Sequence, residues 1–286
     1  MIYKNLNEIP FTQELGIIIN VGTKKSTTLA LFSAIRYLNI PILVIDCEVN
    51  KNDDFVFFTN LQSQYDFHLI QLPLRKHGET LDIIFKEINS SYLVLIDSDL
   101  EILSSDYYLL LKKLLTIDNT FGAGFIHGPL KRVNNQKNAH YIERMWIPFT
   151  LLNVEKVKFA LNNKLSFNIR YKFNDFPISQ YISKRIYKVL LKLNFDIAIL
   201  NVFRKKYGSQ RPSLVLYDTG ADIYQFLKDR KFFYWGLNSA AYSLFVNHFD
   251  GITRNLLDKS DFTGLNLSSV DEIITKRLIE EYNFKF

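Results

Sequence analysis

The stretch SYLVLIDSDL at residues 91–100 combines a run of apolar residues with two carboxylates, Asp97 and Asp99. Five consecutive apolar or aromatic residues, 92–96, predict a strand that is buried on both faces. Open α/β sheets bind ligands at the carboxyl ends of their strands. A buried strand that ends in two acids needs something to neutralise them, and carboxylate oxygens suit Mg²⁺ or Mn²⁺. Because these cations keep positions open for phosphate oxygens, the stretch points to a nucleotide diphosphate ligand.

The Asp-x-Asp pattern has a second interpretation, because it also occurs by chance. Both acids would then lie in a solvated turn, and Ser98 or residues 104–106 would cap the helix that follows. The surrounding sequence bears on the choice between the two.

Predicted strands alternate with predicted helices through the first part of the chain. This alternation indicates parallel strand pairing and a doubly wound α/β sheet. The predicted strands are residues 14–22, 41–46, 67–72 and 91–96, and the predicted helices are residues 26–39, 78–89 and 105–117.

Two later segments carry side chains that suit chemistry. The segment LVLYDTGAD at residues 214–222 places Asp218 at a predicted strand-to-helix corner, with Asp222 four residues further on. The segment VNHFDG at residues 246–251 carries His248. The alternative is structural for both segments: Asp218 or Thr219 caps the next helix, and a lone histidine packs in the protein.

With these motifs in this order, the chain resembles the GT-A glycosyltransferases, most closely the family 2 group, from about Leu15 to His248. The resemblance implies a GT-A type fold, which is a Rossmann-like, mostly parallel sheet with helices on both faces and a helical, basic acceptor-side region. It also implies a single catalytic domain over residues 1–286. Residues 1–120 would form the half that binds the nucleotide sugar and the metal, and residues 121–286 the acceptor half.

The resemblance assigns roles to the acids and to the late histidine. Asp97 and Asp99 would bind Mn²⁺ or Mg²⁺, with His248 as a further ligand. Asp218 would be the general base, and Asp222 is the alternative base. Tyr217 stands where the family 2 pattern has an acid, which leaves the anomeric outcome of the reaction open.

The donor would be a UDP- or GDP-sugar held by residues near the ends of the first strands. The loop at residues 73–78 precedes a helix, so its cations and the helix amino end suit a diphosphate. A turn-capping role for Asp46 and an ordinary basic turn at residues 73–78 are the alternatives. The predicted donor-binding residues are Ile19, Asn20, Val21, Asp46, Arg75, Lys76, His77, Gly78, Asp97 and Ser98.

The acceptor side is predicted around residues 141–146, where GT-A enzymes usually build their acceptor subsites. Trp146 offers an aromatic face on which a sugar stacks, and Glu143 is a further acid. Core packing explains Trp146 equally well.

Charge is divided unevenly along the chain. Residues 1–120 contain 10 Lys or Arg against 15 Asp or Glu, whereas residues 131–211 contain 17 basic and four acidic residues. The basic part favours an anionic partner, such as a membrane surface or a phosphate-bearing acceptor, and a solvated basic face is the alternative. No nucleic-acid-binding module is evident, so nucleic acid is not expected. The basic residues of a predicted helix at residues 182–207 are Lys184, Arg185, Lys188, Lys192, Arg204, Lys205 and Lys206.

Composition narrows the class of protein. With 286 residues and 48% hydrophobic content, the chain can bury a sizeable core. The single cysteine, Cys47, excludes internal disulfides and cysteine-based zinc sites and fits a reducing compartment. No signal peptide and no membrane span are predicted, so a cytoplasmic protein that is peripheral at the membrane is expected.

Three functions remain open. The first is a metal-dependent glycosyltransferase that moves a sugar to a glycan or to a lipid-linked glycan. The second is a sugar-phosphate nucleotidyltransferase, although its glycine-rich loop is poorly matched by residues 21–26. The third is a non-catalytic module that binds polyanions through the basic half.

Overall fold

A mixed eight-stranded sheet forms the centre of the computed structural model. The structure describes residues 1–47, 53–128, 130–131, 140–174, 181–192, 213–237, 239–249, 252 and 267–286. The strands are β1 Ile2–Tyr3, β2 Thr12–Asn20, β3 Ile42–Asp46, β4 His68–Gln71, β5 Ser90–Ile96, β6 Leu100–Ile102, β7 Thr120–His127, β8 Leu130–Lys131, β9 His140–Tyr141, β10 Arg144–Asn153, β11 Arg170–Asn174, β12 Tyr181–Ile182, β13 Ser213–Tyr217, β14 Phe233–Leu237 and β15 Val246–His248.

Eight α-helices are assigned in the described residues. They are α1 Lys24–Leu38, α2 Asp53–Gln62, α3 His77–Glu87, α4 Asp106–Leu115, α5 Val154–Asn162, α6 Lys184–Lys192, α7 Ala221–Asp229 and α8 Leu267–Tyr282. None of the helices in these residues is both long enough and apolar enough to cross a membrane.

The central sheet has the strand order β1-β4-β3-β2-β5-β10-β7-β14. Strand β10 runs antiparallel to both of its neighbours, and the other pairs in this sheet are parallel. The predicted α/β fold with a mostly parallel, Rossmann-like sheet is confirmed by this order. Two smaller sheets accompany it, one with the order β12-β11-β13-β9-β8 and one formed by β15 and β6.

Strand β5 is buried on both faces of the sheet, as its sequence predicts. Val94 and Ile96 belong to one apolar cluster, with α1, α2, α4 and α8, and Leu93 and Leu95 belong to another, with α3, α5 and α7. Because side chains alternate along a strand, a strand between two helical layers needs apolar residues at every position.

The second half of the chain differs in part from the expectation of a helical region. Helix α6 is present. However, β11 pairs with β13 over five residues to form part of a sheet that was not predicted. Of the strands in this sheet, only β13 was predicted. Residues 193–212 lie outside the described part, so the rest of the predicted helix at residues 182–207, including Arg204, Lys205 and Lys206, is not described.

Candidate functional site

Asp97, Asp99 and His248 come together at the carboxyl end of β5. Asp97 follows β5 directly, and its backbone N–H donates to the carbonyl of Pro148 on β10, at 2.8 Å. Asp99 precedes β6, which pairs antiparallel with β15 so that Leu100 lies opposite His248. The pairing of the short strands β6 and β15 therefore places His248 next to the two acids.

The three side chains have the spacing of ligands that share one cation. Nε2 of His248 lies 3.3 Å from Oδ1 of Asp99 and 3.8 Å from Oδ2 of Asp97. One ligand atom from each residue can be chosen so that all three lie within 4.8 Å of one another. Ligands at about 2.1 Å from Mg²⁺ or Mn²⁺ lie about 3 Å apart when adjacent and about 4 Å apart when opposite, so the distances of 3.3 and 3.8 Å are compatible with such an ion.

The three candidate ligands differ in their exposure to solvent. The side chains of Asp99 and His248 are 9% and 10% exposed, whereas that of Asp97 is 32% exposed. Two carboxylates and an imidazole form a donor set that suits Mn²⁺. An open side would admit phosphate oxygens to complete the coordination.

Aromatic rings form one wall of the cluster. The ring of Trp146, on β10, lies 5.6 Å from the ring of His248 and 4.5 Å from that of Tyr242. Trp146 also contacts Phe125 and His127, at 6.0 and 5.1 Å between ring centroids. The tryptophan predicted for the acceptor side thus lies beside Asp97, Asp99 and His248, where it also packs against its neighbours.

Asp218 stands at the strand-to-helix corner that the sequence indicated. It follows β13, and its Oδ1 accepts the backbone N–H of Thr219 at 2.9 Å. Its Oδ2 forms an ion pair with Nη2 of Arg144 at 2.8 Å, and the Arg144 side chain is largely buried. Gly220 adopts φ +76° before α7, where a Cβ atom would lie 2.7 Å from Cε of Met145, so this corner requires glycine.

Arg144 was missed by the sequence analysis and links Asp218 to the cluster. It lies on β10 two residues before Trp146, and residues two apart on a strand project from the same face. Sequence alone gave no signal for this arginine beyond its position next to Glu143. Asp218 is therefore held by the strand that also carries the tryptophan beside His248.

The two other candidate acids, Asp222 and Glu143, each bind side chains other than Arg144. Asp222 is 4% exposed in its side chain and pairs with Nη1 of Arg170 at 2.8 Å. Glu143 accepts hydrogen bonds from Lys228 and from the hydroxyl of Tyr224, and the bond from Lys228 lowers the pKa of the Glu143 carboxyl. All three acids therefore pair with a basic side chain, and the base role of Asp218 or Asp222 stays a prediction.

On the donor side, Asn20 and Asp46 are joined in a buried network. The amide of Asn20 donates to Oδ1 of Asp46 at 2.8 Å and to Oδ2 of Asp54 at 2.9 Å. The Asn20 oxygen accepts the backbone N–H of Thr23 at 3.0 Å and the hydroxyl of Thr27 at 2.9 Å. These contacts hold the turn that follows β2, and nucleotide binding by Asn20 and Asp46 stays a prediction.

Ser98, Ile19 and Val21 lie around the same turn. The buried hydroxyl of Ser98 accepts a hydrogen bond from Thr23 at 3.2 Å. Ile19 and Val21 are partly buried against one of the two apolar clusters. The turn after β2 and the acidic loop after β5 are thereby in contact, as neighbouring parallel strands require.

The segment at residues 75–78, which spans the start of α3, has exposed basic side chains and a glycine that is required by packing. Arg75, Lys76 and His77 are exposed, and Nζ of Lys76 lies 3.2 Å from Oε1 of Glu79. At Gly78, a Cβ atom would lie 2.6 to 2.7 Å from backbone atoms of residues 167–168. Packing explains this glycine, and the diphosphate role of the loop stays a prediction.

Comparisons with known proteins give likenesses among solved structures. No family model and no curated protein matches the chain. A mannosyltransferase, PcManGT from Pyrobaculum calidifontis in complex with GDP-Man and Mn²⁺, is 11% identical with a TM-score of 0.40, and the match covers 51% of this chain and 46% of PcManGT. The chain thus spans about half the length of that enzyme.

Two further structures cover more of the chain. TarS 1-349 from S. aureus in complex with UDP is 12% identical with a TM-score of 0.39, over 96% of this chain and 73% of TarS. The 4-diphosphocytidyl-2C-methyl-D-erythritolsynthase from Anaerococcus prevotii is 11% identical with a TM-score of 0.37, over 74% of this chain and 91% of that protein. The fold of this chain is assigned from its own strand order and helices.

Proposed function

We propose that the protein is a metal-dependent glycosyltransferase that uses a nucleotide diphosphate sugar. The observation that carries this proposal is the cluster of Asp97, Asp99 and His248 at the carboxyl end of a central strand, within ligand distance of one another. Open α/β sheets bind ligands at this position, and the donor atoms suit Mn²⁺ or Mg²⁺. The donor is a UDP- or GDP-sugar.

We propose a role for each of these residues. When bound at the cluster, the divalent cation supplies Lewis-acid stabilisation of negative charge on the departing nucleoside diphosphate. Asp97 and Asp99 provide anionic ligands, and the His248 imidazole acts as a neutral ligand. Trp146 presents its ring to the sugar or to the acceptor.

Asp218 is the proposed general base. Its carboxylate takes the proton of an acceptor hydroxyl while that oxygen forms a bond to the anomeric carbon and the bond from that carbon to the diphosphate breaks. The ion pair with Arg144 fixes the orientation of the Asp218 carboxylate. The acceptor is a glycan or a lipid-linked glycan.

The two halves of the chain cooperate in this proposal. Residues 1–120 supply Asp97, Asp99 and the donor-side turn, and residues 121–286 supply Asp218, Trp146 and the last metal ligand, His248. The whole chain is therefore proposed to work as one catalytic domain.

A donor panel tests the proposal. The protein is incubated with UDP- and GDP-sugars, with and without Mn²⁺, and released nucleoside diphosphate is measured, because donor hydrolysis reports activity even when the acceptor is unknown. We expect release from at least one donor, and only with the metal. Absence of release from every donor, together with absence of nucleotide binding, would contradict the proposal.

Helix α6 is the proposed contact with an anionic membrane. Its exposed residues include Ile186 and Val189, each 52% exposed, and the cations Arg185, Lys188 and Lys192. Apolar side chains interleaved with cations suit a helix that lies in the interface of an anionic bilayer.

Changing Arg185, Lys188 and Lys192 to Gln is expected to release the protein from acidic liposomes. Each cation near an anionic bilayer contributes about 1 kcal/mol, so the affinity is expected to fall about 100-fold. Liposome co-sedimentation measures the effect, and donor hydrolysis in solution should not change. The matched control removes three exposed lysines elsewhere, at Lys86, Lys113 and Lys276. A specific role for α6 would be contradicted if the control variant lost liposome binding to the same extent. It would also be contradicted if the unmodified protein did not bind acidic liposomes at low salt.

A further inference from the structure

The strand pair that carries His248 to Asp99 is very short. Strands β6 and β15 pair through three residues each, with Leu100, Glu101 and Ile102 opposite His248, Asn247 and Val246. A two-stranded ribbon of this length is marginally stable in water without support from elsewhere. The position of His248 relative to Asp99 therefore depends on what holds this pair together.

A buried carboxylate lies in the middle of the pair. Glu101 has a side chain that is 0% exposed, and a buried carboxylate is tolerated only when it is paired and hydrogen-bonded. Its Oε2 accepts the amide of Asn247 at 2.9 Å, so the two strands are joined by side chains as well as by their backbones. Asn247 immediately precedes His248.

The carboxyl-terminal helix α8 supplies the other partners of Glu101. Nη2 of Arg277 lies 2.7 Å from Oε1 of Glu101, and Nε lies 3.1 Å from both carboxylate oxygens. The hydroxyl of Tyr282 donates to Oε1 at 3.3 Å. We call Glu101, Asn247, Arg277 and Tyr282 the Glu101 network.

Helix α8 is docked by contacts that are separate from this network. Val270, Ile274 and Leu278 are buried at a spacing of four residues in the apolar cluster that also contains Leu100 and Ile102. Lys25 on α1 forms a further ion pair with Asp271 at 2.6 Å. Removing the Arg277 guanidinium should therefore leave the helix in place.

We infer that the Glu101 network positions His248 for metal binding, with Arg277 and Glu101 as positioning residues. The inference rests on the proposed function, because it concerns the same metal site. A slip of β15 by one residue would turn His248 to the opposite face of the strand. The hydrogen bond from Asn247 to a carboxylate that α8 holds in place opposes such a slip.

The test is the affinity for Mn²⁺ alone, measured by electron paramagnetic resonance of the free ion. Arg277→Met should weaken Mn²⁺ binding about 10- to 100-fold, the range for loss of groups that orient metal ligands. Arg277→Lys keeps the charge, so its affinity for Mn²⁺ should lie between those of Arg277→Met and the unmodified protein. Asp271→Asn removes the ion pair between α8 and Lys25 of α1 without touching the network, and this variant should bind Mn²⁺ as the unmodified protein does.

Hydrogen exchange gives a second readout that needs no metal. The backbone N–H of Phe249 donates to the carbonyl of Asp99 at 2.8 Å, next to the ligands. Exchange in the peptide that contains β15 should become faster in Arg277→Met and should not change in Asp271→Asn.

The possible results distinguish the metal site from the positioning role of the Glu101 network. If the unmodified protein binds Mn²⁺ and Arg277→Met binds it equally well, the positioning role is overturned and the metal site stands. If the unmodified protein does not bind Mn²⁺, both the metal site and the positioning role are overturned. Should Arg277→Met fail to fold, Asn247→Leu removes one donor of the network at nearly constant size, and unchanged Mn²⁺ affinity in that variant would overturn the inference.

Discussion

Replacing Asp99 by Asn is expected to abolish Mn²⁺-dependent nucleotide binding while the protein stays folded. The variant removes one anionic ligand from a cluster in which Nε2 of His248 lies 3.3 Å from the carboxylate, and it keeps the size of the side chain. A neutral amide is a weaker ligand for a hard divalent cation, so we expect a loss of at least about 100-fold in affinity.

Calorimetry with UDP and GDP, each in the presence and absence of Mn²⁺, measures this effect. Circular dichroism checks that the fold is retained. Asp118→Asn is a matched control, because it removes an exposed carboxylate outside the cluster and should bind nucleotide normally. If Asp99→Asn bound UDP or GDP with the affinity of the unmodified protein, the assignment of Asp99 as a metal ligand would be wrong.

Replacing Asp218 by Asn is expected to slow sugar transfer by about 10²-fold or more while nucleotide binding is retained. Loss of a general base has an effect of this size, and Asp218 does not belong to the metal-ligand cluster. Transfer is measured with the best donor of the panel, and nucleotide affinity is measured in parallel by calorimetry.

Asp222→Asn is the informative comparison for Asp218→Asn. Asp222 is buried in an ion pair with Arg170, so its replacement should lower the free energy of unfolding by about 3 kcal/mol or more and have less effect on the chemical step. Transfer by Asp218→Asn at the rate of the unmodified protein would move the base role to Asp222 or Glu143. A retained anomeric configuration in the product would argue against single displacement with Asp218 as the base.

Local patterns predicted the first half of the fold well. The run at residues 92–96 predicted a strand buried on both faces, and β5 has this environment because helices cover both sides of the sheet. The predicted helices 26–39 and 78–89 correspond to α1 and α3, with ends that differ by two residues or fewer. Such elements are readable from sequence because their periodicity reflects burial directly.

The cluster of Asp97, Asp99 and His248 could be predicted only in part. The two acids follow β5 in a way that sequence reveals, whereas His248 was assigned through the family resemblance. Its position depends on the pairing of β15 with β6, which are far apart in the chain. Pairing between distant strands leaves no local pattern, so residues alone could not establish that His248 lies beside the two acids.

Charge partners were the least predictable feature. The pairs Arg144–Asp218 and Arg277–Glu101 join residues of different elements, and each residue by itself resembles an ordinary surface charge. Asn20 and Asp46 were predicted as donor-binding residues, and their hydrogen bond to each other emerged only from the pairing of β2 with β3.

The most direct test of the central claim is the identity of the nucleotide that the protein releases from its preferred sugar donor. Phosphorus NMR or mass spectrometry of the reaction with Mn²⁺ identifies the bond that breaks. A glycosyltransferase breaks the bond between the anomeric carbon and the diphosphate, so we predict a nucleoside diphosphate as the product, formed only in the presence of the metal and not by Asp99→Asn. Release of a nucleoside monophosphate with a sugar phosphate, or formation of a nucleoside triphosphate from the donor and pyrophosphate, would contradict this account and indicate nucleotidyl transfer.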